Sequence, residues 1–144
     1  MIDYETKIMP FVYTDYYEKE FGRDLKRAFI SISKLINPAD LYRIKILSNK
    51  IEEKFSRESC RSINIDPGYI NHAKLVLAST KDFAHRIHLN KGIFAEITLS
   101  FKGKNFTPLE WSYPDYRTSE YIKIFNEIRD IYVKQTRGKC TPFI

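Results

Sequence analysis

The sequence predicts an α+β fold: a mainly antiparallel sheet with two main helices packed on it. Two segments, 37–55 and 118–138, carry apolar residues at three- and four-residue steps behind good helix starts. A third, Ile93 to Phe101, alternates at every second residue and runs into the tight turn Lys102-Gly103-Lys104-Asn105. Helices and strands do not alternate one for one, as a doubly wound parallel sheet would require. With 144 residues the chain suits one domain, residues 1–144, large enough to bury its own core.

The elements follow in order. The first ten residues read as extended and end at Pro10. Phe11 to Gly22 is a polar, aromatic-rich connection, with Tyr13, Tyr16 and Tyr17 around Asp15. Leu25 to Ile36 reads as a strand, with Ala28, Ile30 and Ile32 on one side and Phe29, Ser31 and Ser33 on the other. Asn37-Pro38-Ala39-Asp40 opens a helix: an Asn cap, proline at the first helical position, an acid in the first turn. Its stripe is Leu41, Ile44, Leu47, Ser48, Ile51 and Phe55. Arg61 to Asp66 reads as a short strand. A type II turn at Asp66-Pro67-Gly68-Tyr69 follows, because proline presets its second position and glycine supplies the positive φ of its third. Asn71 to Ser79 fits a short helix capped by Asn71 or another strand. From Ala84 the pattern is β. Along Ile93 to Phe101 the odd-numbered apolar residues face one way, and Phe94, Glu96, Thr98 and Ser100 face the other; Phe106 to Trp111 returns the hairpin. Ser112 to Arg117 is a loop. Thr118 or Ser119 caps a last helix with the stripe Tyr121, Ile124, Phe125, Ile128, Ile131 and Tyr132, ending near Gly138.

Composition narrows the function classes. Hydrophobic residues at 43% and charged residues at 29% are those of a soluble globular chain, and no apolar run is long enough to span a membrane. The opening MIDYETKIMPFVY carries acids where a signal peptide carries bases, so the expected location is cytoplasmic. Cys60 and Cys140 have no paired spacing, which argues against a disulfide framework or a structural zinc site. No cofactor is called for. A net charge of +6 and a pI near 9.2 suit contact with RNA or a nucleotide through a basic surface. The bases are interspersed with acids, however, and the bland reading is a mildly basic protein with no polyanion partner.

Several stretches resemble a known family: INIDPGY, ASTKDFAHRIH followed by KGIFAEITL, and LEWSYPDYR, together with FVYTDYY and KLINPADL. They are similar to the prokaryotic DUF4416 family, a domain of unknown function whose members sometimes carry a GTP-binding label. The resemblance covers about Asp3 to Tyr132 and brings no assigned catalytic residue. It implies a further strand and helix upstream of the segment starting here at Met1. With that unit the order would be a ferredoxin-like core plus a hairpin and a C-terminal helix; without it, an apolar face or strand edge is left that a second copy could cover, giving a homodimer. The GTP label meets a direct obstacle. Gly22, Gly68, Gly92, Gly103 and Gly138 have neither P-loop nor dinucleotide-fold spacing.

The polar residues offer one composite site. Lys81, His85 and Arg86 suit an anion, with Asp82 orienting the imidazole or guanidinium; arginine grips phosphate as a planar fork and lysine as a point charge. Tyr113, Asp115 and Arg117 form a second polar loop, able to stack on a base and hold its phosphate. Asp66 at a strand end is a candidate base, and His85 the proton-transfer candidate if catalysis occurs. The expectation is that these residues share a cleft for a phosphate-containing ligand. Two alternatives stand beside it: a metal-dependent phosphoesterase joining Asp66 to Glu96, and a non-catalytic partner-binding protein. For each residue the bland reading is a solvated loop charge, a self-capping aspartate, or a tyrosine covering the core edge.

Overall fold

The structure, a computed structural model, describes residues 1–12, 24–56 and 61–138. Tyr13, Asp15, Tyr16 and both cysteines lie outside the described residues. Two helices and mostly antiparallel strands make the fold α+β. Among the described residues no helix is long and apolar enough to cross a membrane. The chain forms two compact units, one of Met1–Tyr69 with Leu77–Glu96 and one of Ile70–Val76 with Ile97–Ile144.

In the first unit, β1 (Ile2–Glu5) pairs antiparallel with β4 (Ile30–Ile32), and β2 (Met9–Pro10) with β3 (Lys26–Arg27). The strand read over Leu25 to Ile36 is thus two short strands in two-stranded ribbons. The register Ile2↔Ile32 and Glu5↔Ile30 puts three isoleucines on one face, and each is more than half exposed. The opposite side, with Phe29, Ser31 and Ser33, is partly covered. Ser33 donates to the Met1 carbonyl at 3.0 Å, and the Thr6 hydroxyl accepts the Phe29 N–H at 3.0 Å.

Asn37 caps as its position implies, its side-chain oxygen accepting the Ala39 N–H at 3.0 Å. A 3-10 turn at Pro38–Asp40 leads into α1 (Leu41–Lys54). The helix does not bury the expected stripe. Leu41, Lys45, Ser48 and Glu52 face inward, while Leu47 and Phe55 are exposed. The buried face is turned by somewhat less than one residue's step of about 100°. The cause is the segment after the helix. Residues 61–66 belong to no strand, and the backbone of Ile65 is held by Lys45 and Glu52 instead.

The type II turn at residues 66–69 does not form. Gly68 opens β5 (Gly68–Ile70) and is not among the glycines with positive φ. The Pro67 carbonyl accepts the Ala78 N–H at 2.9 Å, which draws the stretch into strand pairing. β5, β6 (Lys74–Ser79), β7 (Ile87–Asn90), β8 (Ile93–Lys102) and β9 (Asn105–Pro108) form a five-stranded sheet in the order β5-β6-β8-β7, with β9 also paired to β8. Asn71 to Ser79 therefore resolves as a strand, and Asn71 serves the turn before it by accepting the N–H groups of Ala73 and Lys74. Between β7 and β8, Lys91 and Gly92 have φ of 49° and 73°, the pair of positive values a type I′ turn needs.

In the second unit, Thr118 caps α2 (Ser119–Thr136), its hydroxyl accepting the Tyr121 N–H at 3.3 Å. Tyr121, Ile124 and Phe125 are buried, as the stripe predicts. Tyr116 stacks on Phe125 at 5.6 Å and meets Tyr121 edge-on at 5.8 Å. Asn126 accepts the Phe106 N–H at 3.0 Å, tying helix to strand. Among the described residues, eight of the eleven buried apolar side chains belong to this unit; the first unit supplies Leu41, Ala78 and Ile93.

Candidate functional site

Three polar clusters carry the chemistry-bearing residues, two in the first unit and one in the second. The turn after β6 holds the first. Arg86 donates from Nε to Glu96 Oε2 at 2.8 Å and from Nη1 to the Ser79 hydroxyl at 2.8 Å and the Lys81 carbonyl at 3.0 Å. Its guanidinium lies 4.6 Å from the centre of the Phe83 ring. His85 Nε2 meets the same Glu96 oxygen at 3.0 Å, and its ring runs parallel to Phe83. With Glu96 ionised, Nε2 is the donor and Nδ1 of the neutral ring is an acceptor. This is an oriented histidine on a buried acid. Arg86 shares that acid, however, so the carboxylate is already neutralised before His85 draws on it.

Glu96, on the strand face opposite the odd-numbered apolar row, is 3% exposed. The role of orienting His85 and Arg86, assigned to Asp82 on sequence grounds, falls to Glu96; Asp82 and Lys81 are exposed in the turn. The sequence around Glu96 does not signal its burial. Glu96 shares its strand face with Phe94, Thr98 and Ser100, a mostly polar row that reads as a solvated face.

The second cluster clamps residues 61–66. Glu52, buried on α1, accepts the Ile65 N–H at 2.7 Å and the Arg61 guanidinium at 3.1 Å. Lys45, also buried, donates to the Ile65 carbonyl at 2.8 Å and lies 3.9 Å from Glu52 and 3.7 Å from Asp66. Asp66 also accepts from Asn64 at 2.9 Å. One acid and one base, two helical turns apart, thus satisfy both backbone groups of Ile65 as a neighbouring strand would. Lys45 and Glu52 went unnoticed in the sequence because they sit in the charged run KIEEK and its approach, where burial has no signature.

The third cluster is the loop before α2. Arg117 donates from Nε to the Ser112 carbonyl at 2.9 Å and from Nη2 to those of Leu109 and Glu110 at 2.8 and 2.7 Å. Ser112 is buried, bonded to the Thr98 carbonyl and to the Leu109 N–H. Asp115 is buried within the 3-10 turn Pro114–Arg117. Trp111 and Tyr113 point outward, and the indole N–H is tied to the Ile97 carbonyl at 2.8 Å.

Comparison with known proteins places the chain. A family model, a domain of unknown function, DUF4416, matches residues 1–132. The chain belongs to the DUF4416 family. No curated protein and no solved structure matches it. The residues that carry the DUF4416 likeness in sequence include all of the turn 79–88 and the loop 109–117, so two of the three clusters lie in them.

In this DUF4416 chain the two carboxylates considered for a metal have separate attachments: Asp66 to Lys45 and Asn64, Glu96 to Arg86 and His85. Among the described residues no group of three His, Cys, Asp or Glu side chains is placed to hold a metal ion. Burial raises the Tyr69 hydroxyl above the usual tyrosine range. The hydrogen bond to Tyr42, followed by the charges of Tyr42 and Asp40, raises the exposed Arg43.

Proposed function

We propose that the protein acts by binding, and that its ligand is anionic and phosphate-containing: RNA, or a nucleotide held without a P-loop. The observation carrying this reading is where the positive charge lies. The second unit has nine Lys or Arg against five Asp or Glu, four of the chain's net six positive charges on little more than a third of its residues. That concentration suits a polyanion. Binding is favoured over catalysis because the groups able to do chemistry are engaged with one another: Glu96 with Arg86 and His85, Glu52 with Lys45 and Arg61. A reducing, cytoplasmic location fits two cysteines without paired spacing. Filter binding of single-stranded RNA across ionic strength tests the reading. Each phosphate neutralised should contribute a slope of about −0.7 in log affinity against log salt. No retention at low salt, or retention indifferent to salt, would remove it.

The first unit favours a second reading, a protein partner such as another copy of this chain. Among the described residues, Ile2, Ile30, Ile32, Leu47 and Phe55 are all more than half exposed there, against three buried apolar side chains. Covering the exposed half of each isoleucine would contribute roughly 1 kcal/mol. Sedimentation and hydrophobic-dye binding check this; a clean monomer that binds no dye counts against it.

A further inference from the structure

The second unit hides its apolar residues well, which makes its exceptions informative. Its exposed large hydrophobic side chains, among the described residues, are Ile97, Trp111 and Tyr113. Trp111 and Ile97 are neighbours through the indole N–H bond to the Ile97 carbonyl. Ser112, between Trp111 and Tyr113, is buried and bonded inward, so the two rings flank an anchor. Tyr116 fastens the far end of the loop in the core against Phe125 and Tyr121, and Arg117 braces three carbonyls of the near end. The rings are therefore held outward by a loop with little freedom left to lose on binding, the condition under which aromatic contacts count most.

Charge selects the occupant. Among the described residues Arg117 meets carbonyl oxygens and no carboxylate. It is exposed, and its Nη1 hydrogens take no part in these bonds, so its positive charge stands un-neutralised beside the rings. A single-stranded nucleic acid presents a flat base and a phosphate together, and so would engage ring and cation at once. We infer that Trp111 and Tyr113 form a stacking platform for bases of a single-stranded nucleic acid, with Arg117 facing its phosphate. This rests on the anionic-ligand reading and adds to it the place of contact.

Trp111 is the chain's one tryptophan, so its fluorescence reports this contact directly. Full-length protein is titrated with a short labelled oligouridine at low salt, following oligomer anisotropy and tryptophan emission together. Both should saturate at one midpoint, with emission quenched. Trp111→Ala and Tyr113→Ala should each weaken binding roughly tenfold or more, the effect of losing one stacked base. Trp111→Phe, which keeps a ring, should retain most affinity, and Glu110→Gln, removing an exposed acid from the loop, should tighten it. Circular dichroism confirms that each variant is folded. Binding by anisotropy without quenching, with both alanine variants at native affinity, overturns the platform and leaves the anionic reading standing. No anisotropy change in the native protein overturns both. An emission shift produced by raising protein concentration alone assigns the patch to protein contact and overturns the platform.

Discussion

Replacing Glu52 tests whether a pair of charged side chains substitutes for a strand in this fold. In Glu52→Ala the Ile65 N–H loses its acceptor at 2.7 Å, and an unmade buried hydrogen bond costs about 1–3 kcal/mol. Lys45, with its side chain 7% exposed, keeps only the half-exposed Asp66 as counter-charge. Breaking one side of a buried pair costs about 3–5 kcal/mol in all. The Arg61 bond adds little, because that guanidinium is one-third exposed. A total of about 4 kcal/mol should lower the melting temperature by roughly 8–16 °C at this chain length. Glu52→Gln separates charge from geometry. It retains an acceptor for Ile65 and should lose only about half as much. The decisive variant is Lys45→Met with Glu52→Leu. Were the pair only an ion pair, an apolar replacement would be nearly neutral; as a backbone clamp, its removal leaves both polar groups of Ile65 unmade, and at least about 2 kcal/mol should remain lost. Urea and thermal unfolding followed by circular dichroism measure all three. A double variant as stable as the native chain, with Gln and Ala at residue 52 equally harmful, would refute the clamp.

Glu96→Gln should destabilise by about 3–5 kcal/mol by leaving the Arg86 guanidinium, 4% exposed, without its carboxylate, and Arg86→Met added to it should recover part of the loss; unchanged melting temperature in Glu96→Gln would contradict this. For Tyr69, burial favours the neutral hydroxyl and raises the folded pKa above the unfolded value near 10. The unfolded chain then releases its proton first, so stability should decline as pH rises above about 10, and Tyr69→Phe should flatten that decline in pH-dependent urea titrations. Ile30→Ser with Ile32→Ser removes apolar groups already facing solvent. It should leave monomer stability within about 0.5 kcal/mol while abolishing any self-association seen by sedimentation; a large loss of stability would show that the ribbon face is covered within one chain.

What depends on local chemistry follows from chain order alone: the Asn37 and Thr118 caps, the stripe of α2, the Gly103 turn, the glycine of positive φ at residue 138, and the α+β class that these imply. Caps, turns and periodicity act through bonds a few residues apart, and so are legible in a linear string. The INIDPGY, ASTKDFAHRIH, KGIFAEITL and LEWSYPDYR stretches, with FVYTDYY and KLINPADL, likewise carried the likeness to the family whose model the chain matches. Tertiary structure decided everything that turned on a remote partner. Gly68 is extended because Ala78 binds the carbonyl before it. The inner face of α1 is charged because Ile65 presents its backbone there. Glu96 is buried because Arg86 and His85 come to it from the preceding turn. A charged residue reads as solvated until its counter-charge is located, since burial of a charge becomes tolerable only through the partner that compensates it, and the partner's distance along the chain carries no mark in the sequence.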